Sequence, residues 1–215
     1  KKKYIFKKKS DVHHIEQLSE TFNFDCSNLI IPTSKDEEKI ANSSIDNKFK
    51  HIVVFPGGNW KPKIWDTENF NFIIKKINTK YKYVKFILVG SKEEEKMYYE
   101  IISKNIPQTN IINLFGMTLT QTAAFMKKSD LFIGNDSGLM HLATACQIKT
   151  IALFGPTNDK IYSPWGRKNV VLRTKEDFNY FKNRNKLNKN ISYMGSINVK
   201  EVYDLIINSN IINAK

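Results

Sequence analysis

The run Gly134-Asn135-Asp136-Ser137-Gly138-Leu139-Met140-His141 joins the residue types an anion site needs at the spacing a helix N-terminus supplies. A short apolar run, 130–134, precedes it and a helical period follows. Unpaired backbone amides at such a start, with the helix dipole, attract phosphate. Ser137 can cap the helix, and Gly138 lets a phosphate come close to the backbone. His141 falls one turn in, on the face of Ser137 and Gly138, and Asp136 projects from the strand end into the same crevice. A plainer reading fits the spacing equally well: Asp136 or Ser137 as a cap only, and His141 as a packed histidine. A second candidate is the loop 56–65, PGGNWKPKIW, in which Lys63 is a point charge suited to a diphosphate; against it, lysines are common here and mostly solvated. A third is Gly90-Ser91-Lys92-Glu93-Glu94-Glu95, where an acidic residue after a strand can accept ribose hydroxyls, though acidic residues in a first helical turn need no ligand. Gly155-Pro156-Thr157 closes a strand at the same edge; it is a turn by itself and a candidate nucleotide-contacting loop.

These stretches sit in a regular alternation. Strands are expected at 52–55, 84–89, 111–114, 130–134 and 150–154, with a sixth at 170–172; helices are expected from about Thr67, at 93–105, at 118–128 and at 137–146. Thr67 reads as one N-cap and Thr118, with Gln121 three residues on, as another. Strands apolar throughout and alternating with helices predict a parallel sheet covered on both faces, a Rossmann-like α/β domain over 48–175 that binds ligands beyond the strand carboxyl ends. The flanks differ: a short amphipathic helix within 10–24, a polar linker at 32–50, a surface loop at 176–190 and a terminal helical period from 199 to 212. No internal repeat is present.

Composition narrows the function classes. Among 215 residues, 41% are hydrophobic and 26% charged, an ordinary globular balance. No apolar run reaches the ~20 residues of a membrane helix, and the basic opening 1–9 lacks the apolar stretch of a secretory signal. The chain starts without methionine, as expected of a piece beginning inside a longer protein. Two cysteines, Cys26 and Cys146, form no metal or disulfide pattern and suit a reducing compartment. The net charge is +13, yet only three of the 34 basic residues are arginine, and the lysines are spread along the chain. A nucleic-acid interface concentrates Arg and aromatic residues, so the charge reads as compositional, with a secondary hint of anionic substrates or a membrane surface. GxGxxG, GxxxxGK[ST], GxSxG and HExxH are all absent. His13-His14 is no metal pair, because adjacent helical residues point apart.

Taken together, these motifs resemble glycosyltransferase family 9, the lipopolysaccharide heptosyltransferases. GNDSGLMHLATACQIKTIALFGPT (134–157) is close to that family's GNDSGPMHLAAALGTPVVALFGPT, with Leu139 in place of Pro. The 56–65 loop resembles its K-x-W loop through Lys63 and Trp65. VHHIEQLSETFNF (12–24) is similar to its H-x-V-E-R-Y segment, with Gln17 where Arg is usual, and MGSINVKEVYDLI (194–206) to its closing helix. The resemblance implies the C-terminal, donor-binding domain of a GT-B enzyme, with 1–47 the exit from an acceptor domain, and 176–215 a surface loop and final helix. It implies an inverting, metal-independent transfer without cofactor, from a nucleotide sugar (ADP-heptose) to a lipid-linked anionic glycan of the lipopolysaccharide core. The expected setting is the cytoplasm, with peripheral contact at the inner membrane. Lys63 would meet the donor diphosphate, and Glu93 first among Glu93, Glu94 and Glu95 the ribose. Asp136, Ser137 and Gly138 would contact sugar and phosphates, supported by His141. The general base is expected in the absent N-terminal domain, so no residue here is nominated for it. A non-catalytic nucleotide-sugar binding module and a basic nucleic-acid or membrane-surface protein are the other classes. Without the first domain, Val202, Leu205 and Ile206 would be exposed on the closing helix.

Overall fold

The computed structural model describes residues 9, 11–27, 29–104, 106–184, 186–209 and 211–212; the basic opening segment, Lys9 aside, lies outside them. Six strands, β1 (Lys50–Phe55), β2 (Val84–Leu88), β3 (Ile111–Asn113), β4 (Leu131–Asn135), β5 (Lys149–Phe154) and β6 (Val170–Arg173), form one sheet in the order β3-β2-β1-β4-β5-β6. Every pairing is parallel, with Val53 opposite both Ile87 and Phe132 and Ile133 opposite Ile151. The expected Rossmann-like fold class is therefore the one observed.

Side chains alternate across the pleat, so each strand feeds two cores. Ile52, Val54, Phe86, Leu88, Leu131 and Ile133 face one layer of helices, α3 (Thr67–Lys80), α4 (Lys92–Ser103) and α9 (Val199–Ile207). Val53, Phe55, Ile87, Phe132, Ala152 and Phe154 face the other, α2 (Lys35–Ser44), α5 (Leu119–Met126) and α6 (Gly138–Ala145). A sheet buried on both sides needs strands without polar alternation, which is the pattern the sequence carries.

The structure corrects four expectations. Asp66, not Thr67, caps α3, its Oδ1 accepting from Glu68 N–H at 3.0 Å; a carboxylate one residue earlier does the same work. The polar stretch 32–50 is no plain linker but carries α2. Ser34 and Glu37 form a reciprocal capping box, and small Ala41 docks fully buried beside α5 while Ile40 stays exposed. Residues 176–190 contain a short helix, α8 (Phe178–Lys182), anchored by buried Phe181. Finally, Val202 and Ile206 are buried against the α3 side of the sheet and Leu205 packs partly on it, because the apolar face of α9 finds its partner within this chain. Capping by Thr118 with Gln121 at α5 is as expected.

The segment before α2 is fastened to the domain. Helix α1 (His14–Phe22) is capped by His13, whose Nδ1 accepts from Ile15 N–H and whose Nε2 lies 2.9 Å from the Ser163 carbonyl. Its ring packs on Trp165, and the Trp165 indole donates to the Cys26 carbonyl at 2.7 Å. Gln17 is buried and donates to the carbonyls of Lys9 and Val12, tying down the incoming chain. Both cysteines are free thiols, and burial pushes the Cys146 thiol up to about 11.

Candidate functional site

The order β3-β2-β1-β4 reverses direction between β1 and β4, and that is where an open α/β sheet leaves a crevice at its carboxyl edge. One wall is the turn after β1, residues 56–65; the other is the turn from β4 into α6. A single buried side chain couples them. Asn135 Nδ2 donates to the Pro56 and Gly57 carbonyls at 3.0 and 2.9 Å, and its Oδ1 accepts from Trp65 N–H at 3.0 Å. Sequence reasoning passed over Asn135 as part of a motif, although a side-chain amide between two loops rich in unpaired backbone groups is the signal that could have found it.

Lys63 ends a tight turn, Lys61–Lys63, in which buried Pro62 sets the backbone. Tyr193 N–H braces the Pro62 carbonyl at 3.0 Å, and the Trp65 indole donates to the Ile197 carbonyl at 3.2 Å. Lys63 Nζ lies 3.2 Å from Asp136 Oδ2, the two side chains 15% and 8% exposed. Asp136 stands behind Lys63 rather than at the mouth, holding the ammonium toward the cleft. Ser137 Oγ accepts from Met140 N–H at 3.2 Å as the α6 cap, which leaves the first-turn amides of Gly138 and Leu139 without an intrahelical partner. A Cβ on Gly138 would meet nothing within 4 Å, so the space before the helix start is open.

These groups border a cleft of about 720 Å³ lined by Lys63, Ser137, Gly138 and His141, with Phe55, Leu119, Leu139 and Leu142 giving it an apolar side. Burial lowers the imidazole pKa of His141; the Asp136 charge opposes that fall, and His13, His14 and Lys63 add to it. Cap and site are thus compatible roles, and the structure brings Lys63, Asp136, Ser137, Gly138 and His141 to one edge.

The acidic triplet divides. Glu93 is exposed and does not line the cleft, whereas Glu94 does. Glu94 Oε1 accepts from Gly58 N–H and its Oε2 from Ser91 N–H, each at 2.8 Å, so this carboxylate ties α4 to the β1 turn. Glu95 pairs with Lys92 and accepts from Asn113 Nδ2 at 2.7 Å. Pro156 and Thr157 lie elsewhere, on a second cleft of about 840 Å³, and Gly155 supports its floor through the Arg173 guanidinium. Glu94 is the carboxylate that lines the first cleft, while Asp136 is buried beside it against Lys63; both are engaged, one by two amides and one by an ammonium. The arrangement can hold an anion and stabilise charge leaving onto it. Among the described residues no cluster of three or more His, Cys, Asp or Glu is set to hold a metal, and no helix is long and apolar enough to cross a membrane.

Comparison with known proteins identifies the family and the fold. The profile of glycosyltransferase family 9 (heptosyltransferase) matches residues 11–192. A lipooligosaccharide heptosyltransferase 2 of Campylobacter jejuni is 35% identical over 133 residues, 60% of this chain and 41% of that protein. The chain spans less than half the length of the curated relatives it matches. Among solved structures, a family 9 glycosyl transferase of Veillonella parvula superposes with a TM-score of 0.72 at 23% identity, covering 93% of this chain and 58% of that one. The ADP-heptose lipopolysaccharide heptosyltransferase II of Escherichia coli superposes at 0.66 and 22% identity, over 84% and 53%. The chain belongs to glycosyltransferase family 9, the heptosyltransferase family.

Proposed function

We propose that this chain is the donor-binding part of a glycosyltransferase that moves a heptose-type sugar from a nucleotide diphosphate, ADP-heptose, onto the lipopolysaccharide core or a related surface glycan. The observation that carries the reading is the cation and helix N-terminus converging on one cleft: Lys63 on one wall, and Ser137 and Gly138 at the α6 start on the other. A diphosphate has two charged groups a few ångströms apart, which suits one ammonium and one cluster of amides. The apolar side, with exposed Leu119, suits a purine face.

In this reading the site works on the leaving group. As the anomeric carbon–oxygen bond breaks, negative charge collects on the diphosphate. Lys63, held by Asp136, and the amides of Gly138 and Leu139 are already oriented to receive it, so little reorganisation accompanies the step. His141, kept neutral by burial, adds a polar contact without adding charge. The acceptor hydroxyl must lose a proton to a base, and Asp136 and Glu94 are both engaged in holding the site. As the family resemblance implies, we place the base in an N-terminal acceptor domain and read the transfer as inverting and metal-independent. A nucleotide sugar and a lipid-linked anionic acceptor are the partners, met at the cytoplasmic face of the inner membrane.

The test is a calorimetric titration of the chain with ADP, UDP and GDP, repeated on Lys63→Ala and Asp136→Ala. Saturable binding with ADP favoured, weakened in both variants, supports the assignment. Preference for another nucleotide changes the donor. No binding to any of them by a folded chain removes the site from these residues.

A further inference from the structure

The second cleft is larger than the first and takes no part in the donor reading. It lies where β5 and β6 end, at the same carboxyl edge of the sheet, and the turn 56–65 separates the two: Gly58, Asn59 and Lys63 line the first, and Trp60 lines the second. Its floor is fixed. The Arg173 guanidinium pairs with Asp159 through one terminal nitrogen and donates to the Gly155 and Glu176 carbonyls at 2.9 and 3.2 Å through the other, which fixes it in the floor, while its buried Nε has no partner.

What faces the space is different in kind from the donor cleft. Three half-buried aromatic rings, Trp60, Tyr162 and Phe178, border it, Tyr162 packing on the core and beside His14 as well. Between them stand the exposed amide of Asn179, the carboxylate of Asp11, and two capping side chains, Asn158 at the short helix α7 (Asp159–Tyr162) and Asp177 at α8, each with one oxygen engaged by a backbone N–H and its second polar atom left for a ligand. Charge is balanced, with Asp11, Asp159 and Asp177 against Lys160, Arg173 and Lys182, so the cleft suits an uncharged ring of a glycan and leaves that glycan's anionic groups outside it. Flat apolar faces alternating with amides and carboxylates match a pyranose ring, which offers C–H faces to stack and hydroxyls that both donate and accept. The volume of about 840 Å³ is that of a site for a ligand of several rings' size.

We infer that this second cleft binds a pyranose ring, and that the ring belongs to the acceptor glycan. The inference rests on the glycosyltransferase reading for the word acceptor; the pyranose site itself stands on the lining. Two relations favour the acceptor over the donor's own sugar. The 56–65 turn lies between this cleft and the groups that would hold the diphosphate. Asp11 also brings the incoming chain, with α1 just beyond it, to the rim of the cleft. Pro156 and Thr157, which close the family-like motif yet lie outside the donor cleft, then have a role in the same reaction.

The chain carries its own reporter. Of its three tryptophans, the indoles of Trp65 and Trp165 are hydrogen-bonded inside the fold, to the carbonyls of Ile197 and Cys26, and serve as fixed references for Trp60. Methyl mannopyranoside and a methyl heptopyranoside are titrated into ¹⁵N-labelled chain, alone, with saturating ADP and with saturating ADP-heptose. The expected result is a saturable millimolar shift of the Trp60 indole that persists with either nucleotide. Phe178→Ala and Asn179→Ala, both away from the turn, should weaken it about tenfold or more while leaving the ADP isotherm unchanged. A Trp60 signal that stays still while ADP binds normally overturns the site without touching the donor assignment. Displacement of the glycoside by ADP puts the sugar in the first cleft and also overturns it. Displacement by ADP-heptose but not ADP gives the cleft to the donor's sugar and overturns the acceptor half.

Discussion

Asn135 and Trp65 are 70 positions apart in sequence, yet the Asn135 carboxamide accepts the Trp65 backbone N–H at 3.0 Å while donating to two carbonyls of the turn that leads there. One fully buried amide thus satisfies a donor and two acceptors that otherwise face no water. Removing it leaves all three unpaired. Asn135→Ala is expected to lose about 2–4 kcal/mol of stability, read as a fall in urea midpoint at unchanged slope. Asn135→Asp keeps the acceptor but points an anion at two carbonyl oxygens, so it should be no better than alanine. A neutral effect of both would mean the turn holds its shape without the clamp.

The Lys63–Asp136 pair lets binding and folding be separated in a double variant. Lys63→Met is expected to weaken ADP binding about tenfold or more, the loss of one charge-assisted contact, and to flatten the dependence of affinity on salt. It also leaves the Asp136 carboxylate, only 8% exposed, without its counter-charge. Stability should fall, and Asp136→Asn in the same molecule should restore part of it, because a neutral amide needs no partner ion. Binding should not return with it. A double variant as unstable as the single one would show the pair to be uncoupled.

Two histidines contribute to the acid side of the stability curve, above the range in which carboxylates titrate. His51 is 1% exposed with an unpartnered Nε2, and burial, opposed mainly by Asp130, lowers its imidazole pKa; His141 is lowered by burial too. A folded-state pKa below the unfolded one means the unfolded chain takes up protons first as pH drops. Stability is then full above the unfolded value of 6.5 and declines as pH falls through it toward the folded values. Urea unfolding from pH 8 to pH 5 is expected to show this decline. His51→Leu should make it shallower, and His141→Asn should remove a further part. An unchanged pH profile in both variants would place the decline elsewhere.

How far these features were legible depends on whether a residue's partner is local. The strands and the caps at Thr118 and Ser137 depend on neighbours a few residues away, and periodicity exposes them. The candidate anion site was legible in type, since Ser137, Gly138 and His141 share one helix start. Glu94 could not be separated from Glu93, because only the fold shows that the β1 turn passes over one and not the other. Helix α2 escaped notice because it rests on a capping box, on buried Ala41 and on polar contacts such as Thr120 with Glu37, rather than on an apolar stripe. The fate of Val202 and Ile206 was misjudged for the same reason: an amphipathic helix announces that it needs a surface, not which surface.

Gly138 separates ligand binding from folding more cleanly than any other position. Its φ is not in the left-handed region, and a methyl group there would touch nothing within 4 Å, whereas one on Gly134 would stand 2.8 Å from the Phe55 carbonyl and one on Gly57 2.2 Å from Glu94 Oε1. At a first helical position alanine also restrains the unfolded chain, so Gly138→Ala is expected to be as stable as the parent or more so, by up to about 1 kcal/mol. The same methyl occupies the space in front of the α6 amides, and nucleotide affinity should fall about tenfold or more. Gly134→Ala should do the reverse in kind, lowering stability through overpacking and affecting binding only as the fold is lost. Thermal unfolding and ADP titration on both variants check this. If Gly138→Ala binds ADP as the parent does, no phosphate approaches the helix start, and the diphosphate must rest on Lys63 alone.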